Sequence, residues 1–342
     1  MLIPKLDHRL LKKIEEKINN KTKPIGSLGK LEEIAKQIAL IQNSLSPKIH
    51  SPKFLVFASD HGITDAKVSA YPKEVTYQMV MNFLNEGAAI NVFCKQHSIG
   101  LSIIDAGVDG EFINTENLVS KKIGNGTRNF LLERAMTREE TLEAIQTGRE
   151  LVRKESFSGT NIIGFGEMGI GNSSSASVLT SLFLNIPLKK CIGKGTGLSP
   201  KGLTRKNFVL TSALKNRNSS KDPLDILSNF GGYEIAMIAG GILEAASRRM
   251  VILIDGSIVS SALLFALKIN RKILDYCIFS HLSAEPMHSL ILSKLGKFPI
   301  LNLEMRLGEG TGAALAFPII QSATLMLTEM SSFEEAKVSR KA

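Results

Sequence analysis

Hydrophobic positions along this chain recur with two different periods, and the change between them organises the sequence. The first fifty residues follow a helical pattern. One helix is predicted from about Leu10 to Ile18, and a second begins after Ser27 with Leu31, Ile34, Ile38 and Ile41 at helical spacing. A turn-rich connector, Lys23-Pro24-Ile25-Gly26-Ser27-Leu28-Gly29, separates them. From residue 53 short apolar runs alternate with helical stretches. The runs at Phe54 to Ala58, Leu101 to Ile104, Asn161 to Ile163, Val251 to Ile254 and Cys277 to Phe279 read as strands, and Pro299 to Leu303 as a sixth. Among the helices, one is expected from about Lys73 to Gln96, with Pro72 favouring its first turn. Another opens on a capping box, Thr137-Arg138-Glu139-Glu140. Gly231 to Gly241 reads as a helix packed through small residues, and Ala313 to Leu327 as a long apolar helix before a polar tail. Strands alternating with helices of this length predict βαβ units and a mostly parallel sheet, an α/β fold.

Polar residues gather where those runs end. Asp60-His61-Gly62 follows the first, Asp105 the second, Gly164 to Asn172 the third, Asp255-Gly256 the fourth, Ser280-His281 the fifth and Gly308-Glu309 the sixth. Open α/β sheets bind ligands outside the carboxyl ends of their strands. Clusters repeated at each end therefore predict a single cleft.

Within these clusters Arg306-Leu307-Gly308-Glu309-Gly310-Thr311-Gly312 is the most informative. A carboxylate among three glycines, ahead of an apolar helix, either caps that helix or acts on something held against the glycines. Gly164 to Ser175 also lies between a strand and a helix, and its glycines and helix N-terminus suit a phosphate, or else form a tight turn capped by Asn172 or Ser173. Its spacing fits neither the dinucleotide fingerprint nor the P-loop. Glu167 would repel a phosphate, so it is expected to face a neutral group such as a ribose hydroxyl. Gly193-Lys194-Gly195-Thr196-Gly197-Leu198 forms a second glycine-rich loop, with Lys201 and Lys206 behind it as candidate counter-charges or as solvated surface. Asp60 and His61 lack further spaced metal ligands and read as a turn. With Glu167 they would otherwise suit a metal-dependent phosphate-ester hydrolase. Ser280, His281 and Glu285 with His288 invite a Ser–His–acid reading, but no Gly-x-Ser-x-Gly elbow accompanies them.

Composition narrows the classes. At 342 residues the chain has 44% hydrophobic and 22% charged residues, ordinary for a soluble globular protein. Val251 to Ile269 is broken by Asp255-Gly256 and three serines and does not read as a membrane span. No apolar leader follows Met1, and the three scattered cysteines (Cys94, Cys191, Cys277) fit a reducing cytoplasm rather than a disulfide framework or zinc site. The net charge of +10 is dispersed, without Trp and with only 6% aromatics, which argues against nucleic-acid binding.

Taken together the motifs resemble the nicotinate-nucleotide:dimethylbenzimidazole phosphoribosyltransferase family of cobalamin biosynthesis. The likeness runs from Lys23 to about Ser322. It rests on Asp60-His61-Gly62, Tyr71-Pro72-Lys73-Glu74-Val75-Thr76, Gly166-Glu167-Met168-Gly169-Ile170-Gly171-Asn172, Ser280-His281-Leu282-Ser283-Ala284-Glu285 and Arg306 to Ala316, all in order. The resemblance implies a Rossmann-like catalytic domain over 51–324 and a small helical lobe from both chain ends, 1–50 with 325–342. It also implies a cytoplasmic homodimer with no metal or cofactor. The implied substrates are nicotinate mononucleotide and dimethylbenzimidazole, or another benzimidazole, a purine or a phenol as acceptor base. Glu309 would be the catalytic base. Gly166, Glu167, Gly169, Gly171, Asn172, Ser173 and Ser174 would hold ribose and phosphate, with Lys206 and Ser283 on the phosphate. Tyr71 and Met79 would line the base pocket, and Leu307 would touch substrate.

Overall fold

Runs such as Val251–Ile254, apolar at every position rather than at alternate ones, suit strands covered on both faces. In the computed structural model they form one parallel sheet with helices on either side. Its strands are β1 (Lys53–Ser59), β2 (Gly100–Gly107), β3 (Leu118–Ser120), β4 (Ile162–Met168), β5 (Val251–Ile254) and β6 (Cys277–Phe279). They lie in the order β3-β2-β1-β4-β5-β6. The structure describes residues 2–339 apart from 114, 116, 196, 218 and 219. The chain works outward from β1 to one edge, then returns to the centre at β4 and works outward to the other. The reversal between β1 and β4 opens a crevice at their carboxyl ends, where such sheets bind ligands.

Two helices cover one side of the sheet at very close range. Arg138–Phe157 carries the predicted capping box: Thr137 Oγ1 accepts from the Glu140 amide at 3.0 Å, and the Glu140 carboxylate accepts from the Thr137 amide at 2.7 Å. Tyr233–Ser247 crosses it where Gly148 lies against the Met237 carbonyl and Gly240 against the Ile145 carbonyl. A Cβ at either glycine would run into backbone. The helix Thr311–Glu329 has the length and hydropathy to cross a bilayer. Here its face of Ala313, Phe317, Ile320, Ala323 and Leu327 is buried in the core.

The two chain ends meet. Lys21 pairs antiparallel with Ser332, the Thr22 amide donates to the Ser331 carbonyl at 3.1 Å, and the Phe333 amide to the Asn20 carbonyl at 3.1 Å. These contacts join the segments expected to build a helical lobe, of which residues 1 and 340–342 lie outside the described residues. The expected boundary at 324/325 falls within the helix Thr311–Glu329.

Three sequence expectations are corrected. The loop expected from Gly164 begins later, because β4 continues to Met168 and Gly164, Gly166 and Glu167 are strand residues. Its glycines serve close approach: Gly164 makes room for the Phe54 ring and Gly166 for the backbone at Glu309. The helix expected from Lys73 to Gln96 is two, Val75–Leu84 and Ala89–Gln96, broken where Glu86 turns left-handed (φ 58°) beside Gly87. Pro299 to Leu303 is no strand. Only Leu301 bridges, donating to the Ser280 carbonyl at 2.9 Å and accepting from the Leu282 amide at 2.8 Å. The sixth strand is instead β3, a three-residue edge with no apolar run to reveal it.

The helix crossing yields a stability prediction. Gly240→Ala must push Tyr233–Ser247 off its neighbour, with an expected cost of about 2–3 kcal/mol. A urea midpoint equal to that of the unsubstituted protein would show that this packing tolerates a methyl group.

Candidate active site

Beyond Leu301 the chain crosses the carboxyl edge of the sheet and makes an unusual turn. Gly308, Glu309 and Gly310 are all left-handed, with φ of 89°, 63° and 86°. Glycine adopts such angles freely, whereas a Glu there costs about 1–3 kcal/mol and must be held by its surroundings. The holder is β4: the Glu309 carbonyl lies so close to the Cα of Gly166 that a Cβ would collide with it. Glu309 is 4% exposed, and its Oε2 has no hydrogen-bond partner. It does not cap the helix that follows. Gly310 is the N-cap, and the Ala313 amide is satisfied by Asp255 Oδ1 at 2.9 Å. The capping alternative is therefore excluded. Burial raises the Glu309 carboxyl to about 7, Asp255 adds to the rise, and a hydrogen bond from the Ile90 amide opposes it.

Facing this turn is the start of the helix Asn172–Leu184, entered through left-handed Gly171 (φ 99°). Asn172 Nδ2 donates to the Glu167 carboxyl, and the Ile170 amide donates to Thr76 Oγ1 at 3.0 Å. Glu167 is 6% exposed. Burial, with Glu234, Asp255 and Glu309 nearby, pushes its carboxyl well above the ordinary range despite the Asn172 bond. That environment favours a neutral acid able to donate as well as accept.

His61 supports the turn from below. Its Nε2 lies 2.7 Å from Glu234 Oε1 and its Nδ1 3.1 Å from Ser175 Oγ, and the side chains of the His61–Glu234 pair are fully buried. A Cβ at Gly169, Gly171 or Gly232 would crowd the His61 side chain. Both ring nitrogens are thus committed to packing the turn, which leaves the hydrolase reading without its histidine ligand. Asp60 accepts from the Asp109 amide at 2.8 Å, a turn role as expected.

A cation stands opposite. Lys206 is completely buried, yet its Nζ reaches only neutral oxygens, Ser173 Oγ at 2.9 Å and the Gly193 carbonyl at 3.5 Å. Burial lowers its ammonium to about 8, with Glu285 opposing. A buried ammonium at a helix N-terminus makes a ready anion site. Lys201 is exposed instead. The Arg306 guanidinium donates to the Gly195 carbonyl at 2.9 Å, tying the second glycine loop to the Glu309 segment. Thr196 lies outside the described residues.

One cleft collects these pieces. Glu167, Gly169, Gly171, Asn172, Ser173, Lys206, Ser283, Leu307 and Gly308 all line it, while Glu309 lies covered beside Gly308. Gly166 contributes its close contact rather than a wall, and Ser174 is buried outside the lining. Tyr71, 52% exposed, and half-buried Met79 are not in the lining either. The Ser–His–acid array does not form: Ser280 Oγ is unpartnered, and His281 Nε2 is 3.7 Å from Asp255. His288, lowered to about 3 by burial, accepts from the Ser283 amide at 2.8 Å. Sequence reasoning missed Ser257 to Val259, the helix start after β5, and Val68-Ser69. The first obeys the same strand-end rule as its neighbours; the second carries no local signal.

Comparison with known proteins finds relatives along nearly the whole chain. A family profile described as phosphoribosyltransferase matches residues 3–338. The chain is 50% identical over 331 residues to the nicotinate-nucleotide--dimethylbenzimidazole phosphoribosyltransferase of Dechloromonas aromatica (strain RCB), covering 96% of this chain and 95% of the relative. The protein of the same name from Bacteroides fragilis (strain YCH46) is 44% identical over 338 residues, covering 99% and 98%. The crystal structure of CobT from Thermus thermophilus superposes with a TM-score of 0.94 at 38% identity, covering 97% of this chain and 99% of that one.

The buried pair beneath the turn can be tested directly. Glu234→Ala strands His61 without its partner and is expected to cost about 3–5 kcal/mol. A melting temperature within a degree or so of the parent would mean that the pair does not hold this turn.

Proposed function

The chain belongs to the phosphoribosyltransferase family that its relatives define, and from that premise we propose its reaction. It moves 5-phosphoribose from nicotinate mononucleotide to 5,6-dimethylbenzimidazole, giving α-ribazole 5′-phosphate and nicotinate. The observation that carries this reading is Glu309: a buried carboxylate with one unpartnered oxygen, poised near neutrality, beside a cleft that holds a buried cation.

The cleft's polarity orders the steps. The 5′-phosphate takes the Lys206 end, with Ser173, Ser283 and the amides opening the helix Asn172–Leu184. Glu167 and Asn172 face the ribose hydroxyls. The nicotinate ring is a cationic pyridinium, so the electrons of its bond to C1′ neutralise it on departure and no general acid is needed. A ring nitrogen of the benzimidazole forms the new bond to C1′ from the opposite face, inverting the anomer. The other nitrogen becomes acidic, and Glu309 takes its proton. General-base help of this kind contributes about 10²–10⁴-fold. Holding two flat rings and one ribose in line contributes much of the remainder.

Cytoplasmic location and a homodimer complete the reading. Three buried free cysteines support the first. Exposed Ile25, Phe298 and Leu303 support self-association.

The test is incubation with nicotinate mononucleotide and a panel of benzimidazoles, purines and phenols, with mass detection of the riboside phosphate. The dimethylbenzimidazole product is expected; absence of any transfer product would end the proposal, and a preference for another base would revise the acceptor. Because the base acts only when deprotonated, kcat/KM should rise as pH passes about 7, the value to which burial brings Glu309. Glu309→Gln should keep nucleotide binding while kcat falls about 10²–10⁴-fold, and wild-type turnover in that variant would refute the base.

A further inference from the structure

Asp255 directly follows β5 inside the protein, 1% exposed. Its Oδ1 accepts from the Ala313 amide at 2.9 Å, and the Gly312 and Gly256 amides add further backbone hydrogen bonds. The helix Thr311–Glu329 has no side-chain cap from its own N-cap, Gly310. Asp255 therefore caps, from a different part of the chain, the helix that begins two residues after Glu309. The fit is close, because a Cβ on Gly312 would strike the His281 ring.

We propose that Asp255 is a positioning residue for Glu309, its carboxylate clamping the first turn after the base and its charge setting how readily the base takes a proton. This rests on the reading of Glu309 as the base. Each element packed around Glu309 contributes one group. From β5 comes Asp255, from β4 the carboxyl of Glu167, and from the helix Ala89–Gln96 the Ile90 amide. Next to Asp255 stands His281, its Nε2 3.7 Å from Oδ1. Burial works against ionisation of Asp255, while His281 and the three amides work for it. Burial prevails, leaving the Asp255 carboxyl above its ordinary range, and Asp255 is the neighbouring carboxylate that adds to the rise at Glu309.

Charge and clamp separate by substitution. Asp255→Asn keeps an acceptor for the Ala313 amide and removes the charge, whereas Asp255→Ala removes both. The measurements are kcat and KM against pH with nicotinate mononucleotide and dimethylbenzimidazole, and a carbon-13 titration of the Glu309 carboxyl in the unliganded protein. Asp255→Asn should move the acid limb, and the Glu309 titration, down by at least about half a pH unit. Asp255→Ala should in addition lower kcat by on the order of 10²-fold, through misplacement of the base, with a smaller change in KM for the nucleotide. An Asp255→Asn limb superposing on that of the wild type overturns the proposal. If neither variant folds, the wild-type titration decides. It follows the Asp255 carboxyl in the same experiment: Asp255 is expected to be ionised where Glu309 titrates, and an Asp255 that stays protonated there has no charge to act on the base, which overturns the proposal. The two ideas fail differently: wild-type turnover in Glu309→Gln removes the base itself, while an unmoved Asp255→Asn limb beside an inactive Glu309→Gln removes only the role of Asp255.

Discussion

The contact between the Cα of Gly166 and the carbonyl of Glu309 is the constraint on which the cleft depends. It lets the segment after Leu301 lie directly on the central strand. Three consecutive left-handed residues follow from that approach, and they set the direction in which the Glu309 side chain leaves the backbone. Any side chain at 166 would lift the turn. The base, the opening of the helix Thr311–Glu329 and the Arg306 tie to Gly195 would move together, because all three belong to one short segment.

Electrostatics divides the cleft and its surroundings into two ends. Among the buried carboxyls near the strand ends, Glu167, Glu234, Asp255 and Glu309 are each accommodated differently. Glu234 has His61, Asp255 has backbone amides, and Glu167 is held toward its neutral form with Asn172 as partner. Glu309 combines an unpartnered oxygen with a carboxyl poised near neutrality. Lys206 stands at the other end, hydrogen-bonded to neutral oxygens and with the Glu285 carboxyl nearby. On the proposed reading a nucleotide with an anionic phosphate and a cationic ring fits this polarity in one orientation. Bond cleavage removes the positive charge of the ring nitrogen, and with it the attraction that held the ring.

Much of this was legible in the sequence wherever one local rule sufficed. Val251–Ile254 and Cys277–Phe279 form strands over the ranges expected, since runs apolar on both faces need no context. The Thr137 box capped the helix it announced. Strand-end polarity pointed to the cleft, and most of the expected substrate contacts line it. Misses arose where tertiary contact outweighed local pattern. Glycines at 164 and 166 suggested a loop but serve close packing inside β4. β3 is a strand because β2 offers an edge, not because its three residues favour one. The partners of His61 come from residues 175 and 234, a separation that no local spacing encodes.

Features that look unfavourable one at a time become consistent when assigned to one task. A non-glycine residue at φ 63°, a carboxylate oxygen without a partner and a lysine buried among neutral oxygens each cost stability. None is needed to close the core, which is formed by the strands and by tightly crossed helices such as Arg138–Phe157 and Tyr233–Ser247. Their concentration at one end of the sheet means that the fold tolerates strain and unsatisfied polarity where a ligand would relieve them. A phosphate satisfies the lysine, and a proton from an acceptor ring satisfies the carboxylate. The strain in the Glu309 turn remains, and that is useful: a side chain fixed by backbone geometry and by Gly166 need not be reorganised each time a substrate arrives.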